Sequence, residues 1–205
     1  MNNFFIFLLF VFISCQNRAR TETVVGIQPY KGFPKEKTDT LAKTIADFYS
    51  VKTVILPAIE LPKSAFVQVK SARYRADSII KIQNRIDLDT IDFILGLTQS
   101  DISTTKKDKE GAIKVPKYKY EDWGIMGLAY CPGTSSIVSS FRLQHKNPNI
   151  HLTRLKKVTV HELGHNLGLP HCPNKKCVMT DAVESIATID NAELLLCEKC
   201  KKKWN

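Results

Sequence analysis

The 205-residue sequence has no internal repeat and no apolar run long enough to cross a membrane. The first absence excludes solenoids and propellers, which are built from recurring units. The longest apolar run covers residues 4–13 and would measure about 15 Å as a helix, half the thickness of a bilayer core. A membrane-spanning helix is therefore not predicted.

The sequence also lacks the ordered pattern of basic and aromatic residues that nucleic-acid modules carry. Lys and Arg number 30 against 20 Asp and Glu, which gives a formal net charge of +10. This charge suits an acidic partner, but without that pattern it is better interpreted as a solvated basic surface. No nucleic-acid partner is predicted. The apolar fraction of 43% is sufficient for the core of one globular domain.

The N-terminal apolar run has the length of a signal-peptide core, although no Lys or Arg precedes it. It ends at Ser14-Cys15, and a small residue followed by cysteine resembles the lipobox of bacterial lipoproteins. We expect residues 1–14 to be a signal peptide, Cys15 to carry the lipid, and residues 15–22 to tether the protein to a membrane of the cell envelope. The alternative is an ordinary signal peptide in which Cys15 has no role.

Residues 23–205 are expected to form a single domain. Apolar, β-branched runs alternate with helical patterns, which predicts an α/β layered fold. In the first helix, Leu41, Ile45 and Phe48 recur at spacings of four and three, with Tyr49 beside that face. Strands are predicted within 23–30, 51–59, 93–97, 123–131 and 135–143, and helices within 35–50, 71–86, 152–169 and 183–196. The lysine-rich segment 104–122 is expected to be an exposed loop or hairpin.

The strongest motif is His161-Glu162-x-x-His165-x-x-Gly168-x-x-His171. The first two histidines are one helical turn apart, so their imidazoles point the same way. Gly168 permits a positive φ that ends the helix, and Pro170 stiffens the return of the chain. His171 then supplies a third nitrogen and leaves a fourth position for water, the arrangement of a hydrolytic zinc.

The other residues near this motif have different expected roles. Glu162 is offset from the histidines by one residue, so its carboxylate flanks the metal without having to bind it. His145 and His151 fit no ligand pattern and are predicted to lie on the surface.

Four cysteines follow the histidines: Cys172, Cys177, Cys197 and Cys200. Their C-x4-C and C-x2-C spacings suit a tetrahedral zinc site, but export would also permit two disulfides. Lysines lie inside both loops and directly after the second one; their charge offsets bound thiolates and lowers thiol pKa values, which favours zinc. The side chains of His171 and Cys172 can diverge, so one segment can serve two zinc ions.

This series of residues resembles the extended signature of the archaemetzincins, a branch of the metzincin metallopeptidases. The likeness runs from His161 through Cys200, and its spacing includes the seventeen residues between Met179 and Cys197. Weaker similarity in "SARYRADSII", "FILGLTQSDI", "GIMGLAY" and "SSFRL" extends it over most of residues 23–200.

The resemblance implies a metzincin-like α/β (α+β) fold, with a mixed twisted β-sheet, an active-site helix and a C-terminal helical segment stabilised by zinc. It implies that His161, His165 and His171 bind a catalytic zinc, that Glu162 is the base, and that Met179 lies in a turn beneath the metal. The four cysteines would hold a second, structural zinc, so two zinc ions are expected per chain.

By the same resemblance, the strand around Gly124–Tyr130 would form the edge of the cleft. Segment 104–122 precedes this strand and could alter access to the cleft. Asp181 stands two residues after Met179, where some metzincins have a tyrosine. Cys131 belongs to neither cysteine pair and is interpreted as a free or buried thiol.

The function predicted is that of a monomeric zinc metallopeptidase, acting on a peptide or protein through a zinc-bound water and Glu162 as general base. Two alternatives stay open. One is an envelope zinc-binding lipoprotein whose cleft is closed or inactive. The other is a zinc hydrolase that acts on a non-peptide amide.

Overall fold

The computed structural model describes residues 22–86, 89–181 and 185–204. The predicted lipidation site, Cys15, lies outside these residues. The strands are β1 Val24–Pro29, β2 Lys52–Ile55, β3 Phe66–Gln68, β4 Ala72–Arg75, β5 Phe93–Thr98, β6 Ile102–Thr104, β7 Trp123–Ile125, β8 Gly127–Ala129 and β9 Ser135–Ser139. The α-helices are α1 Lys35–Tyr49, α2 Ala76–Gln83, α3 Lys117–Tyr120, α4 Pro148–Asn166, α5 Ile186–Asn191 and α6 Glu198–Trp204.

Five strands form the larger sheet, in the order β2-β1-β5-β9-β8. The first four strands are parallel, and β8 pairs with β9 in the antiparallel sense. The sheet is covered on both faces, which explains why β1 and β5 are almost continuously apolar. In β9, Val138 belongs to the core formed with α1 and α4, while Ile137 belongs to the core formed with α2. The active-site helix α4 therefore packs against one face.

The smaller sheet has the order β3-β4-β6-β7, with only β4 and β6 parallel. The mixed α/β fold class is thus confirmed. The strand predicted over residues 123–131 is divided at Met126, because β7 pairs with β6 whereas β8 pairs with β9. The backbone N–H of Ser139 donates to the Met126 carbonyl at this division, 2.8 Å away.

The helix predicted over 71–86 begins only at Ala76, because β4 occupies residues 72–75. Arg73, in β4, donates to the buried carboxylates of Asp101 and Asp122, with N–O distances of 2.8 and 3.1 Å. These long-range ion pairs tie the segment to its neighbours as a strand. Local periodicity carries no information about them.

The helix predicted over 183–196 is likewise shorter in the described residues, where α5 ends at Asn191. The backbone beyond it pairs with the loop of the first two cysteines instead. Glu193 N–H donates to the Lys176 carbonyl at 2.8 Å, and Val178 N–H donates to the Leu195 carbonyl at 2.9 Å. Helix α6 then begins directly after Cys197.

Other predictions concerned the burial of single residues and of one segment. In α1, Tyr49 is buried and Phe48 only partly so, which reverses their expected order. Segment 104–122 is mostly exposed, as predicted, and contains the short α3. His145 is exposed, but the prediction for His151 was wrong: this residue of α4 is buried, with 6% exposure. None of the described helices is long and apolar enough to span a bilayer.

Candidate active site

Helix α4 carries the first two histidines of the motif. It starts with a standard cap, in which the Asn147 side chain accepts from the Asn149 N–H at 2.9 Å and Pro148 occupies the first turn. His161 and His165 lie one turn apart near its other end, and their Nε2 atoms are 3.0 Å apart. The helix therefore brings two nitrogens to one point.

The end of α4 turns the chain toward the third histidine. Gly168 has a φ of 87°, its N–H donates to the His165 carbonyl, and the Leu169 N–H donates to the Gly164 carbonyl, both at 2.9 Å. This pair of bonds is a Schellman motif, which needs a left-handed residue at the glycine position. The turn leads into His171, whose ring centroid lies 4.7 Å from that of His165.

The three imidazoles converge as the motif predicted. One ligand nitrogen from each of His161, His165 and His171 lies within 4.8 Å of the others. A zinc ion with Zn–N bonds of about 2.0–2.1 Å holds its nitrogens roughly 3.4 Å apart in a tetrahedral site. The three side chains therefore have the spacing of ligands to a single ion.

Their hydrogen bonds favour a metal more specifically. Nδ1 of His161 donates to the Val178 carbonyl and Nδ1 of His165 to the Leu169 carbonyl, each at 2.8 Å. A carbonyl only accepts, so both protons are on Nδ1 and both Nε2 atoms present lone pairs. Two lone pairs facing each other at 3.0 Å repel unless a cation lies between them. The donor set thus fits zinc.

Burial keeps these imidazoles neutral, as metal binding requires. Burial, with a smaller contribution from the neighbouring His165, lowers the pKa of His161 to about 3. Burial also lowers the pKa of His165. Both rings are consequently available as ligands at neutral pH.

Glu162 lies between α4 and the edge strand β8. Its side chain is buried, and burial raises the pKa of its carboxyl group to about 8. Gly127 of β8 faces it so closely that a Cβ added there would lie 2.5 Å from Oε1 of Glu162. The carboxylate therefore occupies a narrow slot whose wall is bare backbone.

This slot opens into a largely apolar cleft. Its lining comes from the segment Ile125–Ala129, from α4, and from residues before, within and directly after α5. The lining residues are Ile125, Met126, Gly127, Leu128, Ala129, Lys157, Val158, His161, Glu162, His165, His171, Val178, Thr180, Ile189 and Ala192. The cleft thus lies between the edge strand β8 and the three histidines. The strand predicted around Gly124–Tyr130 therefore lines the cleft, as expected.

Met179 is fully buried next to the helix that carries the first two histidines. It packs against Gly164, the helical residue between His161 and His165: a Cβ added to Gly164 would lie 2.6 Å from the Met179 sulfur. The carbonyl of Met179 accepts from the Cys172 N–H at 2.8 Å. This turn therefore ties the segment after His171 to the underside of the helix.

The four clustered cysteines form a second candidate metal centre behind this turn. The Sγ atoms of Cys172, Cys177, Cys197 and Cys200 lie within 4.8 Å of one another, and all are free thiols. Sγ of Cys172 is 3.6 Å from Sγ of Cys197. Zn–S bonds of about 2.3 Å place tetrahedral sulfurs roughly 3.8 Å apart, so the donor set fits zinc. Cys131 is exposed and belongs to neither group.

Two structural contributions to the site were not predicted. One is Gly127, whose place within a strand pattern is itself a signal of a close backbone approach. The other is Arg154 of α4, which forms a paired contact with Asp190 of α5 at 2.7 Å from each of two nitrogens. Lys157 adds a bond to the Ile189 carbonyl at 2.9 Å. These contacts hold α5 as a wall of the cleft, and no local pattern reveals them.

A mixed sheet whose edge strand faces an HExxH helix, with a third histidine beyond a glycine turn, places this chain among the zinc metallopeptidases. Within that class, its family is also identified. The model of "Peptidase family M54" matches residues 21–205, so the chain belongs to that family.

Its relatives are archaemetzincins. That of Haloquadratum walsbyi is 28% identical over 188 residues, which cover 87% of this chain and 98% of the relative. That of Pyrococcus abyssi is 34% identical over 137 residues, which cover 62% of this chain and 72% of the relative. The crystal structure of archaemetzincin from Methanopyrus kandleri has the same fold, with a TM-score of 0.73, 24% identity and coverage of 91% of this chain and 95% of that one.

Proposed function

We propose that this zinc metallopeptidase hydrolyses peptide bonds of an extended substrate bound along β8, with Glu162 as general base. The observation that carries the proposal is the position of the Glu162 carboxylate. It is enclosed between the backbone of Gly127 and the helix that presents His161 and His165. A carbonyl group held at β8 would therefore share one cleft with the base and the three metal ligands.

Substrate binding follows from the sheet topology. Strand β8 is the last strand of the five-stranded sheet, so one of its edges has no partner strand within that sheet. An extended peptide can add to such an edge through main-chain hydrogen bonds, which are independent of its side-chain sequence. Because β8 also lines the cleft, a peptide added there passes over the three histidines.

The chemistry is divided between the metal and the chain. When bound by His161, His165 and His171, zinc lowers the pKa of a water molecule and polarises a carbonyl group. Glu162, whose ionised form a zinc ion at the histidines would stabilise, accepts a proton from the attacking water and donates it to the leaving amine. The backbone of β8 orients the scissile bond, and the buried Met179 supports the helix from below.

The two alternatives are less well supported. A closed zinc-binding protein has no need of an apolar cleft that opens beside its histidines. A hydrolase for small amides has no need of an edge strand along that cleft. Both alternatives stay testable by turnover.

We also propose that each chain binds two zinc ions, the second at the four cysteines in a structural role. The spacing of the sulfurs and the free state of the thiols support this. The further proposals are that the protein is a monomer and that a lipid on Cys15 anchors it to the cell envelope. The anchor rests on the sequence alone.

The deciding experiment is a fluorogenic peptide-library screen with the zinc-loaded protein. Turnover that is abolished by a chelator and restored by zinc is expected. Cleavage fragments identified by mass spectrometry would show whether a peptide bond was broken. A fully zinc-loaded protein that cleaves no peptide, but hydrolyses a small amide, would favour the second alternative; no turnover at all would favour the first.

A further inference from the structure

The three histidines are not supported in the same way. His161 and His165 each donate from Nδ1 to a main-chain carbonyl, at 2.8 Å. Those acceptors are fixed by the course of the backbone. Nδ1 of His171 faces a side chain instead: Oδ2 of Asp181 lies 3.7 Å away.

His171 is also the ligand that needs support most. Its side chain is 42% exposed, whereas His165 is buried within the helix. It follows the turn at Gly168 rather than standing on a helix, so neighbouring turns do not restrict its rotamer. A side chain that holds Nδ1 of His171 would therefore contribute more to zinc binding than a similar partner at either of the other two ligands.

Asp181 lies beside one of the three converging histidines. Its Oδ2 is 3.7 Å from Nδ1 of His171, whose ligand nitrogen lies close to those of His161 and His165. Asp181 is not itself a ligand in this geometry, since the group of converging donor atoms among the described residues contains only the three histidines.

We infer that Asp181 is a positioning residue for His171. Its carboxylate accepts the Nδ1–H of His171, through one water molecule or after a small rotation that shortens the 3.7 Å separation. The proton is thereby held on Nδ1, and Nε2 of His171 is directed at zinc. This inference rests on the proposed function only in taking the three histidines as ligands of one zinc ion.

The test measures zinc affinity at the histidine site by competition with a chromophoric chelator, with the cysteine site kept loaded. Asp181→Ala should weaken zinc binding by roughly 10- to 100-fold, the usual cost of losing a group that orients a metal ligand. Asp181→Asn should weaken zinc binding less, because its amide oxygen can still accept a hydrogen bond from Nδ1 of His171. The matched control is Asp47→Asn on α1, an aspartate with 63% side-chain exposure paired with Lys43, which should leave zinc affinity unchanged.

Double variants separate positioning from a general structural or charge effect. In a His171→Ala background, Asp181→Ala should weaken zinc binding no further, because the ring it positions is gone. In a His161→Ala background, Asp181→Ala should still weaken zinc binding. The inference is overturned if Asp181→Ala changes zinc affinity by less than about two-fold, or if its effect is the same with and without His171. These readouts need no peptidase activity, so they decide the inference even if no peptide is cleaved.

Discussion

Gly127 of the edge strand leaves just enough room for the carboxylate of Glu162. A Cβ added to the glycine would lie 2.5 Å from Oε1 and 2.7 Å from Cγ of the glutamate. The contact joins an edge strand suited to a peptide with the residue proposed as base. Because Glu162 is enclosed, the added atom can be accommodated only if the carboxylate or the strand moves.

Gly127→Ala should therefore lower turnover while zinc content stays the same. A displacement of about 1 Å in a catalytic group can cost roughly 10²-fold in rate. The measurement is kcat on the best peptide substrate, together with zinc analysis. If the effect runs through Glu162, adding Gly127→Ala to Glu162→Gln should cause little further loss; additive losses would show that Gly127 acts in another way.

Gly168 and Gly32 give a matched pair of backbone tests. Both have a φ of 87°, and neither has an atom within 4 Å of an added Cβ, so alanine meets only the strain of the left-handed conformation. Each Gly→Ala substitution should lower the free energy of unfolding by about 1–2 kcal/mol, measured by urea denaturation. Only Gly168→Ala should also weaken zinc binding at the histidines, because its turn connects His165 to His171. Equal effects on zinc would contradict this role for the turn.

The histidine centre could be predicted from the sequence because it is locally encoded. His161 and His165 are related by helix geometry. Gly168 fixes the turn that leads to His171, six residues after His165. The cysteine pairs are also local, and only their meeting across residues 178–196 depends on the fold. In each case the number of residues between two ligands nearly determines the distance between their side chains.

The surroundings of the centre could not be predicted in this way. Whether residues 72–75 form a helix or a strand is decided by ion pairs of Arg73 with Asp101 and Asp122. The division of residues 123–131 at Met126 is decided by pairing with β6 and β9. The wall formed by α5 depends on Arg154 meeting Asp190, 36 residues away. These contacts join distant segments, so periodicity along one segment cannot reveal them.

The cysteine centre can be removed without touching the histidines. Cys197→Ser with Cys200→Ser should reduce the zinc content from two to one per chain and lower the melting temperature, since structural zinc contributes directly to folding. The matched control is Cys131→Ser, because Cys131 is exposed and lies outside the cluster. It should keep both zinc ions. A wild-type protein with one zinc and no free thiols among the four cysteines would indicate disulfides instead.

Lipidation of Cys15 is tested on protein produced in a bacterial host and extracted from its membranes. Intact mass should show an acylated N-terminal Cys15, and Cys15→Ser should release the protein or change its location. Cys131→Ser, as the control, should leave it in the membrane fraction. A mature protein that starts at another residue and carries no lipid would rule out the anchor.

The role of Glu162 is tested by comparing two substitutions on the same helix. Glu162→Gln preserves the size of the side chain and leaves all three histidines in place, so zinc content and fold should be unchanged. Turnover should nevertheless fall by roughly 10²- to 10⁴-fold, the contribution expected of a general base. His165→Ala should instead lose the zinc at the histidines together with activity, while the zinc at the four cysteines stays. A Glu162→Gln protein that cleaves peptides as fast as the wild type would show that another group removes the proton from water.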